Sequence, residues 1–256
     1  MLKKIAVLLL ALACTVTQSW ARIVETKNVS DILSEIDENT LVLFDIDLTT
    51  LTPTTTLGSN AWWNHFRGKV RSTNLPKEQT LLLIGPIVHK MLRKVPHKTV
   101  EPEVVALIHS LQERGITVWA LTGRYKKAPW DPQFAELTRD QLAACGIDFE
   151  LSIPPKGVEI MQLHPSYAYG ILFTDGQQKG PVLWEFLQAL NHRPLKVVMI
   201  DDLLHYLTSI ESTLKEENIP FVGFHYTRLP HLDGQFDRMI GNIQMLSLTM
   251  NCRILR

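Results

Sequence analysis

The residues that invite chemistry sit where apolar runs end. Asp45 and Asp47 close LVLFDID, Thr122 and Gly123 close ITVWALTG, and Asp201 and Asp202 close LKVVMIDD, while Lys179 follows ILFTDG at the start of a helical stretch. Two carboxylates one residue apart on a strand share a face; if the chain turns there, one carboxylate and the other residue's main-chain carbonyl can address one ion. Such oxygen ligands suit a hard divalent cation such as Mg²⁺, which takes them at about 2.1 Å and keeps several waters. Asp45, Asp47 and Asp201 make that set. With a lysine added, the same groups meet the demands of phosphoryl transfer through an aspartyl-phosphate. One carboxylate attacks phosphorus, a second moves the proton, and cations with a threonine hold the charged oxygens.

These groups meet only if their strands lie side by side. From Asn39 onward strands alternate with helices, which predicts an α/β fold whose parallel sheet is covered on both faces. Five strands are expected: LVLFDID, ITVWALTG, ILFTDG, LKVVMIDD and FVGFHYT. EPEVVALIHSLQERG has the apolar spacing of a helix, with Pro102 in its first turn and Gly115 at its stop. Further helices are expected around Phe134 to Ala144, over PVLWEFLQALN, and from Leu203 to Asn218. The polar residues then fall at the carboxyl ends of the strands, where open α/β sheets bind ligands.

FDIDLT, LTG at 121–123, Lys179 and IDD at 200–202, in that order and at strand ends, resemble the four motifs of the haloacid dehalogenase superfamily. The resemblance spans about Leu41 to Thr227 and implies a Rossmann-like fold. It also implies roles: Asp45 the nucleophile, Asp47 the general acid and base, Thr122 and Gly123 phosphate-binding, and Lys179 the cation that steadies nucleophile and phosphoryl charge. Mg²⁺ would be held by Asp45, the carbonyl of Asp47 and Asp201, with Asp202 supporting from behind. An aspartate at position 47 resembles the phosphatases rather than the dehalogenases or ion pumps. Position 48 is Leu where many members have Gly, and Leu is compatible with the turn unless its φ is positive. The implied activity is Mg²⁺-dependent hydrolysis of a phosphomonoester. A catalytically idle binding module and a phosphotransferase are the competing readings.

About 45 residues, roughly 53–98, remain between the first two motifs, and in this superfamily such an insertion resembles a small, mainly helical cap. Trp62, Trp63, His65 and Arg67 could line the pocket beneath it, or the tryptophans could simply pack the cap to the core. LLLIGPIVHKMLRK reads as a helix interrupted at Gly85 and Pro86. Arg124 could contact substrate or a neighbouring carboxylate, and Asp202 could instead cap the helix that follows. The histidines show no zinc-ligand spacing.

The chain opens with MLKK, an apolar run of roughly a dozen residues and then QSWA, the pattern of a signal peptide cut after Ala21. Residues 22–256 would be the exported catalytic domain, periplasmic or secreted, without stable membrane insertion. Cys14 allows a lipoprotein as a lesser reading. The mature part keeps all 26 acidic residues but loses Lys3 and Lys4 from 26 basic ones, giving a formal charge of −2. With no basic cluster recognised, this argues against nucleic acid as a partner and leaves a small phosphorylated compound or a phosphoprotein. Cys145 and Cys252 are expected as free, buried thiols.

Overall fold

The computed structural model describes residues 21–128, 130–155, 164–228 and 231–250; the segment before Ala21, and Cys252, lie outside the described residues. In chain order the elements are β1 (Ala21–Thr26), β2 (Thr40–Phe44), β3 (Leu51–Pro53), α1 (Asn60–Arg71), α2 (Lys77–Lys94), β4 (His97–Thr99), α3 (Glu103–Glu113) and β5 (Val118–Thr122). There follow α4 (Phe134–Ala144), β6 (Tyr167–Ala168), β7 (Ile171–Phe173), α5 (Lys179–Ala189), β8 (Lys196–Asp201), α6 (Leu204–Glu216), β9 (Phe221–Tyr226) and α7 (Arg238–Thr249).

β2 is buried end to end because both faces of the sheet are covered. Val42 and Phe44 enter one core with Val118, Ala120 and Ile200, where α3 supplies Leu107, Ile108 and Leu111. Leu41 and Leu43 enter the other with Trp119, Leu121 and Met199, against Phe186 of α5 and Ile210 of α6. The 7-stranded order is β1-β9-β8-β2-β5-β7-β6, parallel save for the β6–β7 pair. The fold is thus the expected mixed α/β sheet flanked by helices, with two more strands than predicted, both at its edges. β1 starts at the predicted cleavage point, and β6 has only two residues, too few to show a period.

The sequence between β3 and β4 leaves and returns through one antiparallel pairing, Leu51 to Pro53 against Thr99 to His97. Within it α1 and α2 build a third core from Trp62, Phe66, Met91 and Leu92, which also takes in Phe134 and Leu248. Leu248 belongs to α7, a helix the sequence reading missed. Its start signal was present: Asp237 accepts the N–H groups of Met239 (2.8 Å) and Ile240 (2.9 Å). The interruption predicted in α2 does not occur, for the helix runs through Pro86. Proline removes one backbone donor, yet Ile84, Ile87 and Val88 pack into the third core and hold the segment helical. Gly85 is needed for another reason, since a Cβ there would collide with the ring of Trp130.

Charge is also less even than the whole-chain balance suggests. Residues 53–98 hold Arg67, Lys69, Arg71, Lys77, Lys90, Arg93, Lys94 and Lys98 against the single acid Glu78. This cationic stretch was overlooked because the rest of the chain neutralises it.

Glu101 follows β4 and is buried, accepting hydrogen bonds from Val29 N–H (2.7 Å), the Tyr226 hydroxyl (2.7 Å) and Arg228 (2.7 Å). It ties the base of the insertion to the far strand. Glu101→Ala leaves those donors unmet and is expected to lower unfolding free energy by about 2–4 kcal/mol in a urea titration. An unchanged midpoint would show that water replaces the carboxylate without loss.

Candidate active site

Parallel pairing sets the ends of β2, β8 and β5 side by side, and the polar residues beyond them converge. Lys179, the first residue of α5, is completely buried, its Nζ 2.5 Å from Asp45 Oδ1 and 2.6 Å from Asp201 Oδ2. Asp201 is fully buried, and its Oδ1 accepts the N–H of Leu203 (2.8 Å). Asp202 N–H donates to Thr49 Oγ1 (3.0 Å), and the Thr50 hydroxyl donates to the Asp45 carbonyl (2.5 Å). Of these two threonines of DLTT, Thr49 stitches the β2 turn to the end of β8 and Thr50 closes the turn on itself, roles that no spacing argument foresaw. Leu203, not Asp202, is the N-cap of α6, without a side-chain cap bond, so the capping role considered for Asp202 does not arise.

The electrostatics follow from packing. Burial, aided by the Asp201 and Asp47 carboxylates, pushes Asp45 up to about 7 against the lowering effect of Lys179. Burial and the charges of Asp45 and Asp201 push Asp202 up to about 9. For Lys179 burial disfavours the charge, but Asp201 and Asp45 outweigh it and raise its pKa. Asp45, Asp201 and Asp202 present carboxylate oxygens within 4.8 Å of one another. One ammonium cannot neutralise three carboxylates. The raised proton affinity of Asp45 and Asp202 is the sign of that deficit, and a hard divalent cation is the counter-ion an all-oxygen donor set accepts. The residues present therefore fit a divalent ion.

Asp47 stands apart. Arg124 grips it with two bonds, Nε to Oδ2 at 2.8 Å and Nη2 to Oδ1 at 2.7 Å. Protein around the Asp47 carboxyl raises its pKa, but the charge and hydrogen bonds of Arg124 more than offset this, so the net shift is downward. Arg124 is itself buried and held by Gln141 (2.7 Å) and Thr138 (3.3 Å). Of the two roles open to Arg124 in the sequence, the neighbouring carboxylate is the one observed.

A cavity of about 300 Å³ opens over this floor, lined by Asp45, Asp47, Gly123, Arg124 and Asp202 below. Trp63 and Arg67 of α1 line it above, with Ile84, Gly85 and Val88 of α2; Tyr125, Trp130, Phe134 and Tyr206 complete the walls. Of the four α1 residues considered, Trp62 is instead core, and His65 bonds Asn242 of α7 (2.9 Å). Thr122 is buried beneath, its hydroxyl accepting the N–H of Arg124 (3.2 Å). Gly123 runs close under Tyr206, whose hydroxyl a Cβ there would meet at 2.9 Å. Tyr206 lies in the first turn of α6, the helix that follows Asp202 directly, a position that could have flagged it; Trp130 carried no such signal.

With this geometry in hand, the relatives can be placed. The family described as "Protein of unknown function (DUF2608)" matches residues 25–252. The chain belongs to that family. Within reach of sequence comparison it is 26% identical over 224 residues to a "Putative outer membrane protein" of Chlamydia trachomatis, covering 86% of this chain and 83% of that one. It is 27% identical over 261 residues to an uncharacterized protein of Rickettsia prowazekii, covering 95% and 92%. Among solved structures it is similar to a haloacid dehalogenase-like family hydrolase from Streptococcus pneumoniae, with a TM-score of 0.42 and 13% identity over 72% of this chain and 93% of that one. Among the described residues no helix is long and apolar enough to cross a membrane.

Two outcomes are expected of the DUF2608 site. Lys179→Met leaves Asp45 and Asp201 buried without their cation and should cost about 3–5 kcal/mol of stability in denaturant titrations; an unperturbed midpoint would mean the carboxylates find other counter-charge. Leu48 sits at φ +64, the left-handed region where its side chain is strained, so the departure noted in the sequence is real. Leu48→Gly should therefore be more stable than Leu48→Ala by about 1 kcal/mol, and equal thermal midpoints would refute the strain.

Proposed function

We propose that the protein is an exported, Mg²⁺-dependent phosphomonoester hydrolase acting through an aspartyl-phosphate on Asp45. The single observation that supports this best is Lys179, buried beneath a cavity between Asp201 and Asp45, the latter of which lines that cavity. A buried lysine joining two carboxylates has a large desolvation cost, and a site that must hold a dianionic phosphoryl group beside an anionic nucleophile gives that cost a purpose. The export part draws on the signal-like start and on chlamydial relatives that carry the name "Putative outer membrane protein".

In this reading the substrate lies in the cavity with phosphorus facing Asp45. An Asp45 carboxylate oxygen forms the new bond to phosphorus as the ester bond breaks, and the departing alkoxide takes a proton. Water then attacks the same phosphorus, yielding inorganic phosphate and regenerating Asp45. Asp47 is the group placed to take the proton of that water, because Arg124 keeps it ionised; to supply the leaving oxygen it must first gain a proton against that pull. Lys179 fixes the orientation of Asp45 and offsets charge throughout. Mg²⁺ held by Asp45, Asp201 and Asp202 would supply further neutralisation of the phosphoryl oxygens. The helical layer of α1, α2 and α7 acts as the cap that restricts what reaches the floor.

Phosphate release is expected to need Mg²⁺, to stop with EDTA, and to fall at least about 10³-fold in Asp45→Asn, with Asp47→Asn losing about 10²–10⁴-fold. Mg²⁺ in about hundredfold excess over its dissociation constant should add about 2.7 kcal/mol to stability, and Asp201→Asn should remove that gain. Activity that persists in Asp45→Asn would sink the nucleophile assignment; a midpoint indifferent to Mg²⁺ would sink the metal.

A further inference from the structure

The floor of the site addresses a phosphoryl group, and the walls address what the phosphate is attached to. Those walls are rich in rings, with Trp63 from α1, Tyr125 and Trp130 from the β5–α4 segment, Phe134 from α4 and Tyr206 from α6; aliphatic residues of α2 lie between them, and Asn60 and the cation Arg67 of α1 are among them. Among the described residues, no carboxylate other than Asp45, Asp47 and Asp202 at the floor lines the cavity. Its volume of about 300 Å³ lies at the small end of ligand pockets, enough for a phosphoryl group and one ring system.

The wall is fixed in place before any ligand arrives. Trp63 meets Trp62 edge-on at 5.5 Å and 80°, and Phe66 at 5.9 Å and 72°. Arg67 lies 5.7 Å from the Trp63 ring centroid, so a planar cation and a planar ring share one side of the cavity. Trp130 packs on Gly85 and meets Tyr125 edge-on at 5.8 Å. Its segment is clamped to α2 through Asp131, which pairs with Arg93 at 2.6 Å and with His89. Tyr206 joins wall to floor, its ring centroid 4.7 Å from Lys179 Nζ. Rigid rings from three separate segments, with a guanidinium among them, are what a flat π-system binds; a polyhydroxylated alcohol would find few partners for its hydroxyls on the same walls.

We propose that the substrates are phosphomonoesters whose alcohol carries a planar aromatic or heteroaromatic ring, with Trp63 and Arg67 as its binding residues. This rests on the phosphatase reading above and deepens it. The shared chemistry is the ring at short reach from the phosphate, which an aryl phosphate and a nucleoside 5′-monophosphate both supply.

The test compares kcat/KM of the purified protein for 2-phenylethyl, 2-cyclohexylethyl and n-butyl phosphate. All three have a primary alkoxide leaving group, so the chemical step is matched and only the attached group differs. The phenyl ester is expected to exceed the butyl ester about tenfold and the cyclohexyl ester severalfold. Trp63→Ala should collapse the phenyl-to-cyclohexyl ratio towards one, and Trp63→Phe, which keeps a ring, should retain most of it. Phenyl phosphate and adenosine 5′-monophosphate, each beside glucose 6-phosphate, separate the two sources of the ring. Turnover of all three alkyl esters at similar kcat/KM would overturn the ring proposal and leave the phosphatase reading standing. If no ester turns over, the phosphatase reading fails, and quenching of tryptophan fluorescence in Asp45→Asn by the same esters decides the ring separately: tighter binding of the phenyl ester supports it, and equal or absent binding overturns it.

Discussion

The structure depends on one buried ion cluster. Lys179 reaches from the first turn of α5 to Asp45 at the end of β2 and Asp201 at the end of β8, and of the three only Asp45 shows an edge to the cavity. No hydrophobic packing could hold an ammonium there, so the cluster constrains its surroundings rather than the reverse. α5 must begin beside the two strands, and Gly180, where a Cβ would strike the backbone of Ser209, lets α5 lie directly against α6. The β2 turn must bend back far enough for Thr49 to meet Asp202, which forces Leu48 into a conformation that leucine resists.

Much of this was legible because buried parallel strands announce themselves. An apolar run that ends in a carboxylate must bury its length and release its end, so Asp45, Asp201 and Thr122 were placed on one rim before any coordinates. Lys179 could be placed from its position after a strand, though not its complete burial. What could not be read was lateral contact. Nothing in the spacing of Arg124 says that it grips Asp47, and nothing in APWDP says that Trp130 lies against Gly85, because both contacts join segments whose separation in sequence carries no period.

The same reason explains the errors in the helical layer. On local grounds Pro86 predicts a break, but tertiary packing decides in favour of the helix. α7 was missed although its capping aspartate was visible, since the reading stopped where the sheet stopped. The positive charge of residues 53–98 was hidden by averaging over the chain. Each of these differences lies in the layer that covers the site, whereas the parallel sheet beneath it follows the expected α/β pattern.

That covering layer has its own core. Trp62, Phe66, Met91 and Leu92 pack with Leu248, while the two faces of the sheet are filled by other residues. Its closure joins α1 and α2 to a helix well over a hundred residues further along the chain, through His65 to Asn242 and Lys90 to the Leu248 carbonyl (3.3 Å), while Ala61 N–H donates to Asp233 (2.9 Å) in the turn ahead of that helix. A latch of this kind can be undone without breaking a single strand pairing, at a fraction of the free energy needed to unfold the sheet. The sheet can therefore keep its carboxylate floor while the cover loosens, so that release of α7 frees α1 and α2 to move without cost to the strands beneath.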